Sequence, residues 1–202
     1  MSRKTDKMTL FYRDGRGSAS QKHYPLSLDV TSPETLQRVA QHDHVCASYK
    51  DGCRGADNFI YSDCLAMDCD NSPARGEDPD ISSIQWVTPE DVKTAFPGVR
   101  FYAATSRNHM REKGGRPPRP KHHYYFPIDR VTVAGEYADM KVKVHILFTA
   151  FDGNALDAAR FFFGAENTKV DYYDDEINMT QYLAEHSSQA VNTSLAPQRE
   201  EQ

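Results

Sequence analysis

The sequence has no long hydrophobic run. No stretch of about 18 consecutive apolar residues occurs, and a membrane-spanning helix needs roughly that length. The N-terminal stretch MSRKTDKMT also lacks the apolar segment of a signal peptide. We therefore expect a soluble, cytoplasmic protein. Because 202 residues with a 39% hydrophobic share are enough for one well-buried domain, a single domain is the better expectation than two small ones.

Cysteine is scarce, and its spacing excludes a zinc ribbon. The four cysteines, at positions 46, 53, 64 and 69, form no CxxC pair. Without a secretory signal we expect reduced, mostly buried thiols and no disulfides. One alternative stays open, since His42, His44 and Cys46 alternate in HDHVC and would share one face of a strand. Together with Cys53 they would make a metal site.

The chain also lacks an overall excess of positive charge. Its formal net charge of -5 at first counts against a nucleic-acid-binding protein. However, residues 100–130 contain eight Lys or Arg against two acidic residues, whereas residues 63–91 contain eight acidic residues against one Arg. This separation favours an acidic, metal-binding pocket beside a phosphate-binding rim, although two solvated loops of opposite sign would also account for it.

No internal repeat is present, and predicted strands and helices are mixed along the chain. Ser32-Pro33 and Thr88-Pro89 are typical of helix N-termini, and residues 133–149 also suit a helix. Strands are predicted at MTLFYRD, as an edge strand, and at VCASY, CLAMDCD, VRFYAATS and HHYYFPI. We expect an α+β fold with a mixed or antiparallel central sheet flanked by helices. The catalytic domain would span residues 1–186, followed by a disordered tail at 187–202.

The run CLAMDCDN places two aspartates at alternate positions of the most central of these strands. Leu65, Met67 and Cys69 would share one face, whereas Asp68 and Asp70 would share the other, with Cα atoms about 6.6 Å apart. Two carboxylates that close repel each other, so a divalent cation, a neighbouring Arg or Lys, or a shared proton is needed. An exposed strand end running into a turn is the alternative.

Two further segments carry polar residues of interest. SRNHMREKGGRPPRPK is a basic loop of a length usually kept for function, and it leads into the aromatic strand HHYYFPI. His122 and His123 are adjacent there, so a strand would turn them to opposite faces. FDGNALDAARFFFG is predicted to form a turn, a short helix and a strand.

Taken together, MDCD, KHHYYFP and FDGNALDAARFFFG resemble the archaeo-eukaryotic primase superfamily. Its members combine an hDhD strand motif, an sxH motif that opens a strand, and a later hD motif. Asp68 and Asp70 match the first motif. His123 matches the second, with Lys121 standing where many relatives have a small residue.

The third motif has two candidates, because both Phe151-Asp152 and Leu156-Asp157 satisfy the hD pattern. Asp152 is preferred, since primase-polymerase relatives show an Asp, a second Asp five residues later and then an Arg. The same order is found here in Asp152, Asp157 and Arg160.

The resemblance covers roughly residues 40–165, and the segments are most similar to primase domains encoded in prophages and mobile elements. It implies an RRM-like catalytic core and a template-dependent nucleotidyltransferase, a DNA primase or primase-polymerase. Such an enzyme synthesises or extends primers on a DNA template from nucleoside triphosphates by a two-metal mechanism, in the replication of a phage or mobile element. The implied partners are DNA, nucleotides and a replicative helicase in the same or a separate chain.

The resemblance and the residue chemistry together suggest roles for individual side chains. Two Mg²⁺ or Mn²⁺ ions would be held by Asp68, Asp70 and Asp152, which with His123 form the catalytic set. Nucleotide binding is expected from His123, Lys121 and Arg160. DNA binding is expected from Arg107, Arg111, Lys113, Arg116 and Arg119.

Three other functions remain possible on the sequence alone. A rolling-circle replication initiator endonuclease would use two histidines on one strand face and a tyrosine nucleophile, here Tyr172 or Tyr173, although adjacent histidines count against a shared metal. A two-metal nuclease also uses paired aspartates. The last alternative is a non-catalytic DNA-binding module that supports a helicase.

Overall fold

A computed structural model of the chain describes residues 7–17, 19–72, 85–112 and 116–193. Within these residues the chain has the predicted α+β fold, but its strands form two antiparallel sheets where one central sheet was expected, and it has four α-helices. The strands are β1 Met8–Tyr12, β2 Leu26–Val30, β3 His44–Val45, β4 Ala47–Tyr49, β5 Phe59–Cys69, β6 Phe101–Thr105, β7 His122–Val131, β8 Phe161–Phe162 and β9 Val170–Tyr173. The helices are α1 Pro33–Ala40, α2 Pro89–Ala95, α3 Ala134–Leu147 and α4 Met179–Thr193.

The strands form two sheets, with orders β2-β1-β3-β8 and β4-β5-β7-β6-β9. In the second sheet β5 lies between β4 and β7, but β4 pairs only with residues 59–62, so among the described strands residues 64–69 of CLAMDCD pair with β7 alone. The prediction of an edge strand for MTLFYRD is wrong. β1 pairs with β2 on one side and with β3 on the other, and β2 was not anticipated from LSLDV.

The two faces of β5 are buried against different layers. Leu65, Met67 and Cys69 pack in a hydrophobic cluster with residues of α2, α3 and α4. Cys64 and Ala66 pack in a second cluster with residues of β1, β2, α1 and β8. The predicted alternation therefore holds, and both of its faces are core because the first sheet and α1 cover the side opposite α2, α3 and α4.

Local capping interactions explain where the first two helices begin. Ser32 directly precedes Pro33, the first residue of α1, and its hydroxyl accepts a hydrogen bond from the backbone N–H of Thr35 at 3.3 Å. At the start of α2, the Asp91 carboxylate accepts one from the backbone N–H of Thr88 at 2.8 Å. Each interaction satisfies a backbone donor that would have no partner at a helix N-terminus, so these signals operate locally.

The C-terminal part of the structure departs from the sequence expectation. Helix α4 ends at Thr193, so residues 187–193, expected in the tail, are helical, while 194–202 lie outside the described residues. Strand β9 was also not predicted. It is stabilised by ring stacking on β6, with centroid distances of 4.5 Å between Tyr173 and Phe101 and 4.3 Å between Tyr172 and Tyr102. In the part of the chain that the structure describes, no helix combines the length and apolarity needed to cross a membrane.

Candidate active site

The pairing of β5 with β7 brings the first two sequence motifs together. In this antiparallel register Asp68 lies opposite His123, and Cys69 lies opposite His122. Directly opposed residues share a face, so the Asp68 and His123 side chains are neighbours, with 3.7 Å between Asp68 Oδ1 and His123 Nε2. His122 turns to the other face, where its ring lies 4.8 Å from the His109 ring.

The third motif reaches the same place through a turn after α3. The backbone N–H of Asp152 donates a hydrogen bond to the Asp68 carbonyl at 2.7 Å, which joins this turn to the end of β5. From the same segment, the Arg160 guanidinium lies 3.3 Å from Asp68 Oδ2. The Asp152 carboxylate accepts a 2.9 Å hydrogen bond from the backbone N–H of Asn154 and so stabilises the turn.

Asp157, the other candidate for the third motif, occupies a different position. It is exposed, and its carboxylate accepts a 2.8 Å hydrogen bond from the backbone N–H of Ala159. The structure therefore places Asp152, and not Asp157, beside the end of β5.

Two cations of the basic segment are buried against the end of β5. Lys121 Nζ lies 3.2 Å from Asp70 Oδ1, and the lysine is only 2% exposed. The Arg119 guanidinium donates hydrogen bonds to the Asp70 carbonyl at 2.8 Å and to the Ser72 hydroxyl at 3.1 Å. Arg119 was expected to bind DNA. Because it is 4% exposed and its guanidinium is hydrogen-bonded within the protein, we do not assign it that role.

Asn71 explains why the run CLAMDCDN ends in an asparagine. Its backbone φ is 49°, in the left-handed region that asparagine tolerates better than most residues. Its amide group donates 3.0 Å hydrogen bonds to the carbonyls of Val87 and Pro120 and accepts one from the Val87 N–H at 2.9 Å. Asn71 thus ends β5 and joins it to the segments that precede α2 and β7.

Burial and neighbouring charge together perturb the central carboxyl group. Asp68 is 8% exposed, and this burial, with the nearby carboxylates of Asp70 and Asp152, raises its pKa to about 7 against the opposing effect of Arg160. Burial lowers the pKa of His123 to about 4, so its imidazole is neutral at pH 7. Among the described residues Asp68 Oδ1 has no hydrogen-bond partner although it is buried, an arrangement that a bound cation would relieve.

The described residues contain no ready-made metal cluster. No group of three or more His, Cys, Asp or Glu side chains among them is arranged to hold a metal ion. The alternative zinc site in HDHVC is therefore not formed, and His44 instead contacts the Tyr125 hydroxyl at 2.7 Å. At the end of β5 the chemistry still fits a hard cation, since Mg²⁺ is commonly held by one or two carboxylates together with substrate phosphates.

Two cavities meet at Asp70. The smaller, about 180 Å³, is here named the Arg160 cavity. Its lining comprises Asp68, Asp70, Ser106, Arg107, Asn108, His123, Arg160 and residues 161–163. The larger, about 710 Å³, is named the Trp86 cavity and is lined by Asp70, Trp86, Phe151, Asp152 and neighbouring residues.

Two further cations of the basic loop, Arg107 and Arg111, line a third cavity of about 460 Å³, named the Arg111 cavity. Arg107 lines both this cavity and the Arg160 cavity, with its guanidinium 4.0 Å from the centre of the Phe163 ring. Arg116 is exposed, and Lys113 lies outside the described residues. Arg16 also lines the Arg111 cavity. No sequence signal marked it, because it precedes the basic loop by about ninety positions.

Sequence reasoning also missed Lys141. This lysine of α3 is 1% exposed, and its ammonium group donates hydrogen bonds to the carbonyl of Ala155 and, at 3.2 Å, to that of Asp157. Burial lowers its pKa to about 8. Lys141 therefore stabilises the segment that carries Asp152 and Arg160.

Comparison with known proteins does not identify the family of the chain. No protein-family model matches the chain, and neither does any curated protein. Among solved structures, the chain is similar to the AEP domain of the cyanophage S-2L primase-polymerase, at 11% sequence identity and a TM-score of 0.44, over 89% of this chain and 88% of that chain. So distant a similarity assigns neither a family nor an activity, and we base the function on the geometry of the site.

Proposed function

We propose that the protein is a template-dependent nucleotidyltransferase, a DNA primase or primase-polymerase that makes or extends primers from nucleoside triphosphates. One observation carries this proposal. Three segments far apart in sequence, which hold Asp68 and Asp70, His123, and Asp152 with Arg160, converge at the end of β5. They leave paired carboxylates beside a cavity that also contains cations, the combination that a nucleoside triphosphate requires.

In this proposal the triphosphate lies in the Arg160 cavity. Arg107 and Arg160 supply positive charge there, and the neutral His123 imidazole has an N–H that donates a hydrogen bond to a phosphate oxygen. Lys121 was expected to bind the nucleotide. Because it is buried and bound to Asp70, we assign it to holding that carboxylate in position.

Asp68 and Asp70, with Asp152 beside them, would hold Mg²⁺ or Mn²⁺. When bound, such ions activate an attacking hydroxyl and stabilise the leaving pyrophosphate. The DNA strand would contact Arg107, Arg111 and Arg16 around the Arg111 cavity. Arg116 and Lys113 belong to the same proposed set as neighbours in the basic loop.

A rolling-circle initiator is a poorer fit to the structure. His122 and His123 lie on opposite faces of β7, so they do not form the histidine pair that such enzymes share. Tyr172 and Tyr173, the candidate nucleophiles, are stacked on β6 residues, and neither lines the Arg160 cavity. The geometry of the site is equally compatible with a two-metal nuclease and with a DNA-binding module. Only an activity assay distinguishes these two from a nucleotidyltransferase.

The test is incubation of the protein with a DNA template, labelled nucleotides and Mg²⁺ or Mn²⁺, using dNTPs and NTPs in separate reactions. Template-dependent product is expected. Degradation of the template would favour the nuclease, a covalent protein–DNA adduct the rolling-circle initiator, and binding without turnover the DNA-binding module.

The two adjacent histidines provide a matched pair of variants. We expect His123→Ala to raise the apparent KM for nucleotide or lower kcat by about tenfold or more, because one hydrogen bond to an ionised phosphate is lost. Its affinity for DNA should change little. His122→Ala should keep most of the activity, since this ring packs against His109 on the other face of β7. An inactive His122→Ala beside an active His123→Ala would mean that the motif is displaced by one residue.

Lys141 provides a second prediction, on positioning. Lys141→Met should lower kcat by about tenfold, because two carbonyls of the Asp152–Arg160 segment lose their donor. In the wild type, kcat should also fall as the pH rises through about 8, because the ammonium group loses its charge there and the neutral amine donates weaker hydrogen bonds to the same two carbonyls. Lys141→Met should lack this step. Lys143→Met is the control, since Lys143 is exposed on the same helix. Equal losses in both variants would contradict the positioning role.

A further inference from the structure

The Trp86 cavity is not used by the triphosphate in the proposal above. It has a volume of about 710 Å³, within the range of sites that bind small molecules. Trp86, the single tryptophan of the chain, lines it together with Phe151, His145 and Asn154. Asp70 lines both this cavity and the Arg160 cavity, so its carboxylate lies between the two cavities.

The chemistry of this cavity suits a nucleoside better than a polyphosphate. Among its described lining residues none is a lysine or an arginine, whereas Asp70 and Asp152 contribute two carboxylates. A triphosphate would be repelled there. Trp86, which is partly exposed, offers an aromatic ring on which a base can stack, and Asn154 offers an amide that hydrogen-bonds to a base or a sugar.

The direction of the reaction identifies which nucleoside binds. In phosphoryl transfer the attacking and leaving oxygens lie roughly in line on opposite sides of the phosphorus. If the leaving pyrophosphate lies in the Arg160 cavity, the attacking hydroxyl must approach the phosphorus from the side away from that cavity. The Trp86 cavity lies on the other face of the end of β5, since its Val87 and Phe151 pack in the cluster with α2, α3 and α4, whereas Phe162 of the Arg160 cavity packs in the cluster with β1, β2 and α1.

We propose that the Trp86 cavity binds the 3′-terminal nucleoside of the primer strand, with its base stacked on Trp86 and its 3′-hydroxyl directed towards Asp70 and Asp152. This inference rests on the proposed function, since it takes the Arg160 cavity as the triphosphate site. It assigns Trp86 to binding the acceptor strand and not to binding the incoming nucleotide.

The single tryptophan allows a binding test that needs no catalysis. Fluorescence emission of the wild-type protein should be quenched by a deoxyoligonucleotide with a free 3′-hydroxyl and unchanged by inorganic tripolyphosphate. The same oligonucleotide with a 3′-phosphate should bind less tightly, because the added charge meets the carboxylates of Asp70 and Asp152. Equal quenching by tripolyphosphate, or no quenching by the 3′-hydroxyl oligonucleotide, would overturn the proposal.

Kinetics of two variants test the same assignment. Trp86→Ala should raise the KM for primer by about tenfold or more with no change in the KM for nucleotide, and Trp86→Phe should restore most of the loss. A rise in the nucleotide KM alone would place the incoming base in this cavity and overturn the proposal. If the wild-type protein makes no product, the proposed function fails, and the fluorescence titration still decides whether the cavity binds a 3′ end.

Discussion

Asp68→Asn and Asp70→Asn should both abolish nucleotide incorporation while changing stability in opposite directions. Loss of activity follows from the proposed role of these carboxylates as the paired acidic ligands at the end of β5. Activity of the wild-type protein should likewise disappear with EDTA and return with Mg²⁺ or Mn²⁺. A correctly folded variant of either type with wild-type incorporation, or synthesis in EDTA, would contradict the proposed metal role.

The stability of the Asp68 variant should depend on pH. Since the folded-state pKa of Asp68 is raised to about 7, the folded protein binds this proton more tightly than the unfolded chain does. The contribution of Asp68 is therefore neutral below the ordinary carboxyl pKa, and it becomes increasingly destabilising as the pH rises from about 4 to about 7. Asp68→Asn removes that cost, so we expect a higher free energy of unfolding than in the wild type at pH 8, by a few kcal/mol, and little difference at pH 4.

Asp70→Asn should instead destabilise the protein, on the order of 2 kcal/mol, because the buried ammonium group of Lys121 loses its charged partner. Chemical denaturation of both variants and the wild type at pH 4 and pH 8 provides the measurement. An Asp68→Asn protein that is less stable than the wild type at pH 8 would show that Arg160 compensates the buried charge more strongly than burial opposes it.

Asp152→Asn should reduce turnover by about a hundredfold or more, whereas Asp157→Asn should leave most of it. The Asp152 backbone is bound to Asp68, and an asparagine side chain still accepts the hydrogen bond from Asn154, so the turn should hold while the negative charge is lost. Asp157 is exposed and contacts Ala159 within its own turn, and asparagine preserves that contact as well.

The measurement is single-turnover incorporation by the two Asp→Asn variants, with thermal unfolding to show that both are folded. We expect a change in the free energy of unfolding of no more than about 1 kcal/mol for Asp157→Asn, because surface substitutions usually have small effects. An active Asp152→Asn protein together with an inactive Asp157→Asn protein would mean that Asp157, five positions later, is the third carboxylate. That result would contradict the geometry of the site.

The sequence by itself determined the features that depend on short-range interactions. The starts of α1 and α2 follow from Ser32-Pro33 and Thr88-Pro89, whose capping bonds join residues three positions apart. The opposite facing of Leu65 and Asp68 follows from the two-residue period of a strand, wherever that strand lies in the sheet. The same period separates His122 from His123. Such features require no knowledge of distant segments.

Only the tertiary structure decided how the charged residues are used. In the sequence Arg107, Arg119 and Lys121 are cations of one basic segment, yet Arg119 and Lys121 are buried against Asp70 while Arg107 lines a cavity. Lys141 belongs to a helix whose other lysine, Lys143, is exposed. The layer that packs on each side chain sets the direction in which that side chain turns. The amino-acid composition of the segment does not specify that layer.

The position of Asp152 and the interior placement of β1 have the same origin. Both hD motifs satisfy the sequence pattern equally, and the hydrogen bond from Asp152 to Asp68 spans residues more than eighty positions apart. β1 is interior because β2 and β3, from two later segments, pair with its two edges. Contacts between segments so far apart form only when the whole chain packs, so the local pattern of hydrophobic and polar residues does not specify them.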